Sequence, residues 1–356
     1  MYQNSLQALQ KAGRFRHRDI YNGTYLDLAS NDYLALAQNK DSLQKSCKLL
    51  SSLSYHSPRA SQLVNGYHPI HEEFERALCF QNNFEKGIIV GSGFLANIAL
   101  IEALPRAGDT LILDEKYHAS GIVASKLTKA KVEFFKHNCP QDLKNKLISV
   151  KKRAIIAVEG VYSMDGDMVA KEIFEIADSS GAILIVDEAH SSGVVGENLL
   201  GVFDFYGIEP KPNHIKMGTL GKAYGSYGAY ILASNEIITY LQNRAKSIIY
   251  TTAPSLFDTA LGYFNFEYIQ KNKKSLRKKI LKRTEFFESA SLIIPYEFTD
   301  TKSLMKIDRE LKDRGIIVGA IRPPTVKKPI VRLIANLGIK MKKIKEVVKI
   351  IDDKNI

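Results

Sequence analysis

The sequence predicts an α/β protein: a large domain built on a mainly parallel, seven-stranded sheet covered on both faces, followed by a smaller C-terminal α+β domain. Three observations lead there. Short apolar runs recur at 87–90, 110–113, 132–135, 154–158, 182–186, 214–217 and 229–232, each of a length that suits a buried strand. Stretches with helical spacing lie between them, at 94–104, 119–129 and 170–180, and strand alternating with helix is the pattern of parallel pairing. After residue 235 the pattern changes to long helical stretches, two strand-like pieces at 315–319 and 330–335, and a terminal amphipathic helix.

Taken in chain order, the first 45 residues hold a basic amphipathic start and one strand-like piece at 25–29. They are too few to fold alone. Residues 46–237 carry the seven runs and form the expected large domain, and 238–356 the small one with its linking helix. Ligands of open α/β sheets bind beyond the carboxyl ends of the strands. His118, Ser163, Asp187 and Lys222 each follow an apolar run within about ten residues, which assigns them to that one rim.

Composition narrows the class. Of 356 residues, 45% are hydrophobic and 25% charged, an ordinary balance for a globular protein. No stretch reaches the roughly 18 apolar residues of a membrane span, and the polar start lacks an apolar signal core, so a cytoplasmic protein with no membrane partner is expected. The net charge of +12 comes without a nucleic-acid-binding motif and without tryptophan, and no nucleic-acid partner is expected. Much of the excess is local, with eight basic residues from Lys271 to Arg283 and a second run from Lys340 to Lys349. Three cysteines do not make a disulfide framework, and His68 and His71 stand without a metal-binding motif, so no metal is expected.

The chemistry begins at Lys222 in Gly218-Thr-Leu-Gly-Lys-Ala-Tyr-Gly225. A lysine among glycines can approach a carbonyl closely and form a Schiff base. Asp187 closes the apolar run 183–187, where a carboxylate needs a cationic partner such as a protonated ring nitrogen. Gly91-Ser-Gly-Phe-Leu-Ala-Asn97 opens a helix after a strand, a backbone suited to phosphate, and Thr219 can add a hydroxyl. Amine, carboxylate and phosphate cradle together are what pyridoxal phosphate requires. His190 and Ser163 could meet that cofactor's phenolic oxygen, and His118 its ring face.

The motifs NDYLALA (31–37), GSGFLAN (91–97), DEKYHAS (114–120), EGVYSMDGD (159–167), VDEAHSSGVVG (186–196), GTLGKAYG (218–225), Tyr250-Thr-Thr252 and IRPPTV (321–326) resemble those of the α-oxoamine synthases, fold-type I pyridoxal phosphate transferases. The resemblance runs from about residue 12 to 340. It implies Lys222 as the Schiff-base lysine, Asp187 as partner of the pyridinium nitrogen, His118 as the stacking residue, and His190 and Ser163 on the phenolic oxygen. Thr219 with the Gly93 and Phe94 amides would hold phosphate. Thr251 or Thr252 would reach the cofactor of the neighbouring subunit, because the family shares its active sites across a homodimer. Asn31 would line the substrate site, Arg322 and Arg332 would meet substrate carboxylates, and Arg14 or Arg16 the acyl end.

The IRPPTV segment is the pattern of the biotin-pathway branch. Its reaction condenses L-alanine with a pimeloyl thioester, on coenzyme A or on acyl carrier protein, with loss of carbon dioxide. The basic run 271–283 suggests a landing surface for an acidic carrier. Two other readings stand beside this one: glycine with acetyl-coenzyme A on the same cofactor, against which Arg322 speaks, and a non-catalytic basic binding protein on the same fold. The chain departs from the family at Ser57-Pro-Arg-Ala-Ser-Gln62, where a glycine-rich run is usual, at Leu199-Leu-Gly201, and at Lys327, where proline is usual.

Overall fold

The computed structural model describes residues 1–21 and 25–353, and its first strand, β1 (Leu26–Leu28), belongs to the smaller of two sheets. The seven apolar runs all become strands of the larger sheet: β2 (Lys86–Val90), β3 (Thr110–Asp114), β4 (Lys131–Phe135), β5 (Ala154–Glu159), β6 (Ile183–Asp187), β7 (His214–Thr219) and β8 (Ala229–Ala233). Their order is β2-β8-β7-β6-β5-β3-β4, with β8 antiparallel to both neighbours and every other pair parallel. Because β8 alone is reversed, the carboxyl ends of the other six strands share one rim.

Side chains alternate across the sheet, so each strand feeds two cores. Leu111, Leu113, Ile155, Ala157 and Ile185 face one helical layer; Ile112, Ile156, Val158, Leu184 and Val186 face the other. All are fully buried, and each Leu, Ile or Val contributes about 1.5–3 kcal/mol by leaving water. The second core continues into the small sheet through Ile293, Val318 and Val331.

The small sheet comprises β1, β9 (Ile293–Glu297), β10 (Ile316–Ile321) and β11 (Ile330–Ile334) in the order β1-β10-β11-β9. The N-terminal segment therefore completes it, β1 running parallel to β10. Strand β9 is not foreseen in the sequence because Pro295 sits inside it. An edge position tolerates the missing donor, and β9 lies at the edge.

Local sequence sets the helix ends. Ser92 caps the helix Gly93–Ala103 by accepting from the Leu95 amide at 3.3 Å. His68 and His71 form a reciprocal cap on the helix Pro69–Asn82, and His71 Nε2 also lies 2.9 Å from the Pro254 carbonyl, so this pair is structural. Edge strand β2 is covered by the same region: the outward amide of Ile89 donates to Glu75 Oε1 at 2.8 Å, and its carbonyl accepts from Gln62 Nε2 at 2.6 Å. The helix expected over 119–129 ends at Ala124, and the Thr128 hydroxyl bonds the Pro105 carbonyl in the turn that leads to β4.

A helix of 32 residues, Leu256–Phe287, carries the basic run. Lys271, Lys274, Arg277, Lys278, Lys279 and Lys282 are exposed, whereas Lys273 bonds Asn198 and Arg283 is buried against the Lys279 and Ile339 carbonyls. Among the described residues no helix is long and apolar enough to cross a membrane, and the three cysteines are free.

Candidate active site

Lys222 projects from the turn after β7, closed by bonds from the Gly225 amide to the Lys222 carbonyl and from the Ser226 amide to that of Leu220, both 2.9 Å. Gly225 adopts a left-handed φ of 55°, and a Cβ there would stand 2.5 Å from the Leu36 carbonyl carbon. That close approach presses the segment Asn31–Ala37 against the lysine turn and brings Tyr33 into the site. The Lys222 amine lies 2.8 Å from His190 Nε2, and His190 Nδ1 lies 2.6 Å from the Tyr33 hydroxyl. Burial pushes the lysine down from its ordinary range, the Asp187 and Glu159 carboxylates pull it back, and it settles at about 8.

Asp187 ends β6 in register with Glu159 at the end of β5. Its two oxygens accept from the Ala189 amide at 3.0 Å and from Asn97 Nδ2 at 2.9 Å. The same Asn97 nitrogen reaches Ser120 Oγ at 2.9 Å, Asn97 Oδ1 accepts from the Tyr117 hydroxyl at 2.7 Å, and Ser120 Oγ lies 2.7 Å from His118 Nδ1. Asp187 and His118 are thus held by one network of polar side chains at the rim. Burial and then the Lys222 and Arg332 charges keep His190 well below the usual imidazole range; burial also lowers His118, against the pull of Asp187.

Glu159 is 2% exposed and accepts from the Ser163 amide through Oε2, while its Oε1 has no partner. Burial, reinforced by the Asp187 charge, pushes its carboxyl well above the carboxylate range despite Lys222. Arg332, on β11 and 5% exposed, donates through Nε to the Ser163 carbonyl at 2.6 Å and through Nη1 to Asn31 Oδ1 at 3.0 Å; its Nη2 is buried without a partner. A buried guanidinium nitrogen left open is costly unless a ligand meets it.

On the phosphate side, Gly93 and Phe94 supply the first amides of their helix, which have no intrahelical acceptor. A Cβ at Gly93 would stand 2.6 Å from the Thr219 methyl, so that corner has no room for a side chain. The Thr219 hydroxyl makes only a 3.5 Å bond to the Ala189 carbonyl. An amine, a buried carboxylate, open helix amides with a spare hydroxyl, and an open guanidinium nitrogen fit pyridoxal phosphate and an amino-acid carboxylate.

The structure brings together Lys222, His190, Asp187, His118, Ser163, Asn31 and Arg332, with Thr219 beside Gly93. Other residues named from the sequence stand apart. Arg322 donates to the Phe15 carbonyl at 3.0 Å, which fastens the N-terminal segment between exposed Arg14 and Arg16. Among the described residues no hydrogen bond joins Thr251 or Thr252 to the Lys222 group; neighbouring Ala253 bonds the Ala60 carbonyl at 3.0 Å, in the segment that departs from the family pattern. Tyr33, Asn97, Tyr117, Ser120 and Glu159 receive no role from the sequence. All five lie inside the quoted motifs, and that membership was the available signal.

The model of the class I and II aminotransferase family matches residues 23–351. The 8-amino-7-oxononanoate synthase of Helicobacter pylori strain J99 is 44% identical, covering 97% of this chain and 95% of its own. The solved structure of 8-amino-7-oxononanoate synthase from Francisella tularensis is 25% identical with a TM-score of 0.80, covering 94% of this chain and 98% of that one. A serine palmitoyltransferase from S. paucimobilis, with bound PLP and myriocin, reaches a TM-score of 0.88 at 21% identity, covering 99% and 96%; at that identity the likeness shows the fold.

Proposed function

Since the chain belongs to the class I and II aminotransferase family, in its 8-amino-7-oxononanoate synthase branch, we propose that it is a pyridoxal phosphate-dependent acyltransferase. It joins L-alanine to a pimeloyl thioester and releases carbon dioxide, free thiol and 8-amino-7-oxononanoate. The observation that carries the reading is the Lys222 amine, beside His190 and within the field of Asp187, on the rim where helix amides lie open.

When bound, the cofactor supplies an electron sink that makes the amino-acid Cα–H acidic and the later carboxylate labile. The chain's own residues do the rest. Gly93, Phe94 and Thr219 would hold the phosphate, Asp187 the ring nitrogen, His118 the ring face, and His190 and Ser163 the phenolic oxygen. With its amine at about 8, Lys222 is unprotonated in part near neutral pH, so Nζ can take the Cα proton and return it after carbon dioxide leaves. Arg332 Nη2 and Asn31 would bind the alanine carboxylate. Arg322 with Arg14 or Arg16 would meet the far carboxylate of the acyl chain, which is supported by the bond from Arg322 to the Phe15 carbonyl between them.

The reading includes a homodimer in which Thr251 or Thr252 reaches the partner's phosphate, supported by the exposure of Tyr250 next to them. It also includes an acyl donor on coenzyme A or on an acidic acyl carrier protein, the latter supported by six exposed cations on the 256–287 helix. Mass spectrometry of the amine product tests the reaction. Purified protein given pimeloyl thioester and L-alanine should yield 8-amino-7-oxononanoate, and none of the corresponding product from glycine and acetyl-coenzyme A. Product from the second mixture alone would overturn the substrate assignment and leave the cofactor assignment standing.

A further inference from the structure

His137 stands just past β4, outside the group round Lys222. Its Nδ1 lies 3.0 Å from Asp114 Oδ1 at the end of β3, and its Nε2 lies 3.0 Å from Asp167 Oδ2 in the loop after β5. Ionised carboxylates only accept hydrogen bonds, so both ring nitrogens carry hydrogen and the ring is an imidazolium. Asn138 doubles the clamp. Its amide donates to Asp114 Oδ2 at 2.7 Å, its Nδ2 donates to the Met168 carbonyl at 2.8 Å, and its Oδ1 accepts from the Ala170 amide at 2.8 Å. Tyr162 donates to Asp114 Oδ2 at 2.8 Å and sets its ring edge-on to the imidazole at 4.4 Å.

Residues 160–170 are thereby fastened to the ends of β3 and β4. The loop carries Ser163, whose carbonyl receives Arg332 Nε and whose amide binds Glu159. His137, Asp165 and Asp167 also place ligand-type atoms close together. Here, however, the Lys116 ammonium lies 3.0 Å from Asp165 and both imidazole nitrogens are donors, so the cluster is already neutralised by its own cations.

We propose that His137, as an imidazolium, is a positioning residue for Arg332: it holds the 160–170 loop where the Ser163 carbonyl fixes the guanidinium and leaves Nη2 for the amino-acid carboxylate. The inference rests on the assignment of Arg332 to that carboxylate made above. Burial opposes the charge on His137, but the bonds to Asp114 and Asp167 outweigh it and carry the imidazole up to about 9. A raised value means that the clamp is whole below the ordinary imidazole range and loses one of its two N–H bonds as pH climbs through about 9.

The test compares KM for L-alanine and kcat in the holoenzymes of wild type, His137→Gln, Asp167→Ala and Arg332→Lys across pH, with alanine affinity read independently from the cofactor's absorbance. Near neutral pH both clamp variants should raise KM for alanine about tenfold, with kcat and the thioester KM moved by less than about threefold. The ratio of variant to wild-type KM should narrow above pH about 9, where the wild-type ring keeps a single N–H and one of the two bonds is gone. Titration of alanine's own amine is common to all and cancels in that ratio. Should His137→Gln fail to fold, Asp167→Ala, whose side chain is 37% exposed, carries the test alone. An alanine KM within about twofold of wild type in the clamp variants, or a ratio flat with pH, would overturn the inference. Arg332→Lys separates the two levels. If it too leaves KM unmoved, the assignment of Arg332 fails; if it alone raises KM, only the role of His137 fails.

Discussion

His190 touches Lys222 with one ring nitrogen and Tyr33 with the other, at 2.8 and 2.6 Å. Burial and the neighbouring positive charges keep the ring neutral at ordinary pH, so it carries a single N–H, and burial pushes the Tyr33 hydroxyl up to about 12, so it keeps its proton. The relay therefore joins the amine to the N-terminal segment without adding a charge to the site.

Removing that hydroxyl should show as lost stability. Tyr33→Phe leaves His190 Nδ1 buried without its partner, which costs about 1–3 kcal/mol. Urea denaturation of the purified enzyme should report a lower midpoint with an unchanged slope. An unchanged midpoint would mean that the 2.6 Å contact contributes nothing.

Lys222 should behave as an unusually reactive amine in the apoenzyme. Its lowered value means ammonium below about 8 and free amine above, whereas a solvated lysine stays charged to about 10. Labelling with an amine-directed reagent should thus rise through pH about 8 at the Lys222 peptide first, and pyridoxal phosphate should protect it. Lys222→Ala should abolish turnover while the circular dichroism spectrum stays that of wild type. A variant that retained most activity would remove the lysine from the mechanism.

The corner between Gly93 and Thr219 offers a paired test. Gly93→Ala sets a methyl 2.6 Å from the Thr219 methyl. It should weaken pyridoxal phosphate binding about tenfold or more, measured by fluorescence titration of the apoenzyme. Thr219→Ser deletes the opposing methyl and keeps the hydroxyl, so the double variant should recover much of the affinity. Failure of that rescue would locate the loss elsewhere than in this contact.

Reversing Lys274, Lys278 and Lys282 to Glu should slow the reaction of a carrier-protein-borne pimeloyl group about tenfold at low salt, with the deficit shrinking as salt screens the charges. The coenzyme A thioester should react as in wild type. Equal rates with the carrier-borne substrate would mean that this helix face is merely solvated.

The large sheet was legible because strand and helix leave different periodicities, and each apolar run from 87–90 to 229–232 is a strand in the fold. What escaped followed from position in space. Pro295 hides β9 until an edge location excuses it, and nothing local tells that β1 joins β10, almost three hundred residues away. The site divides in the same manner. Lys222, Asp187 and His118 announce themselves through residue type and strand-end position. Asn97, Glu159 and Tyr33 act through which way they face, and a motif string does not encode facing.

The covered rim of β2 has a consequence for assembly. A strand edge recruits other strands only while its amides and carbonyls are open. At Ile89 both are already taken, by Glu75 and Gln62 of the same chain. Two copies that meet at this side of the molecule therefore find no open backbone pair at Ile89, the point where a second strand would have to join.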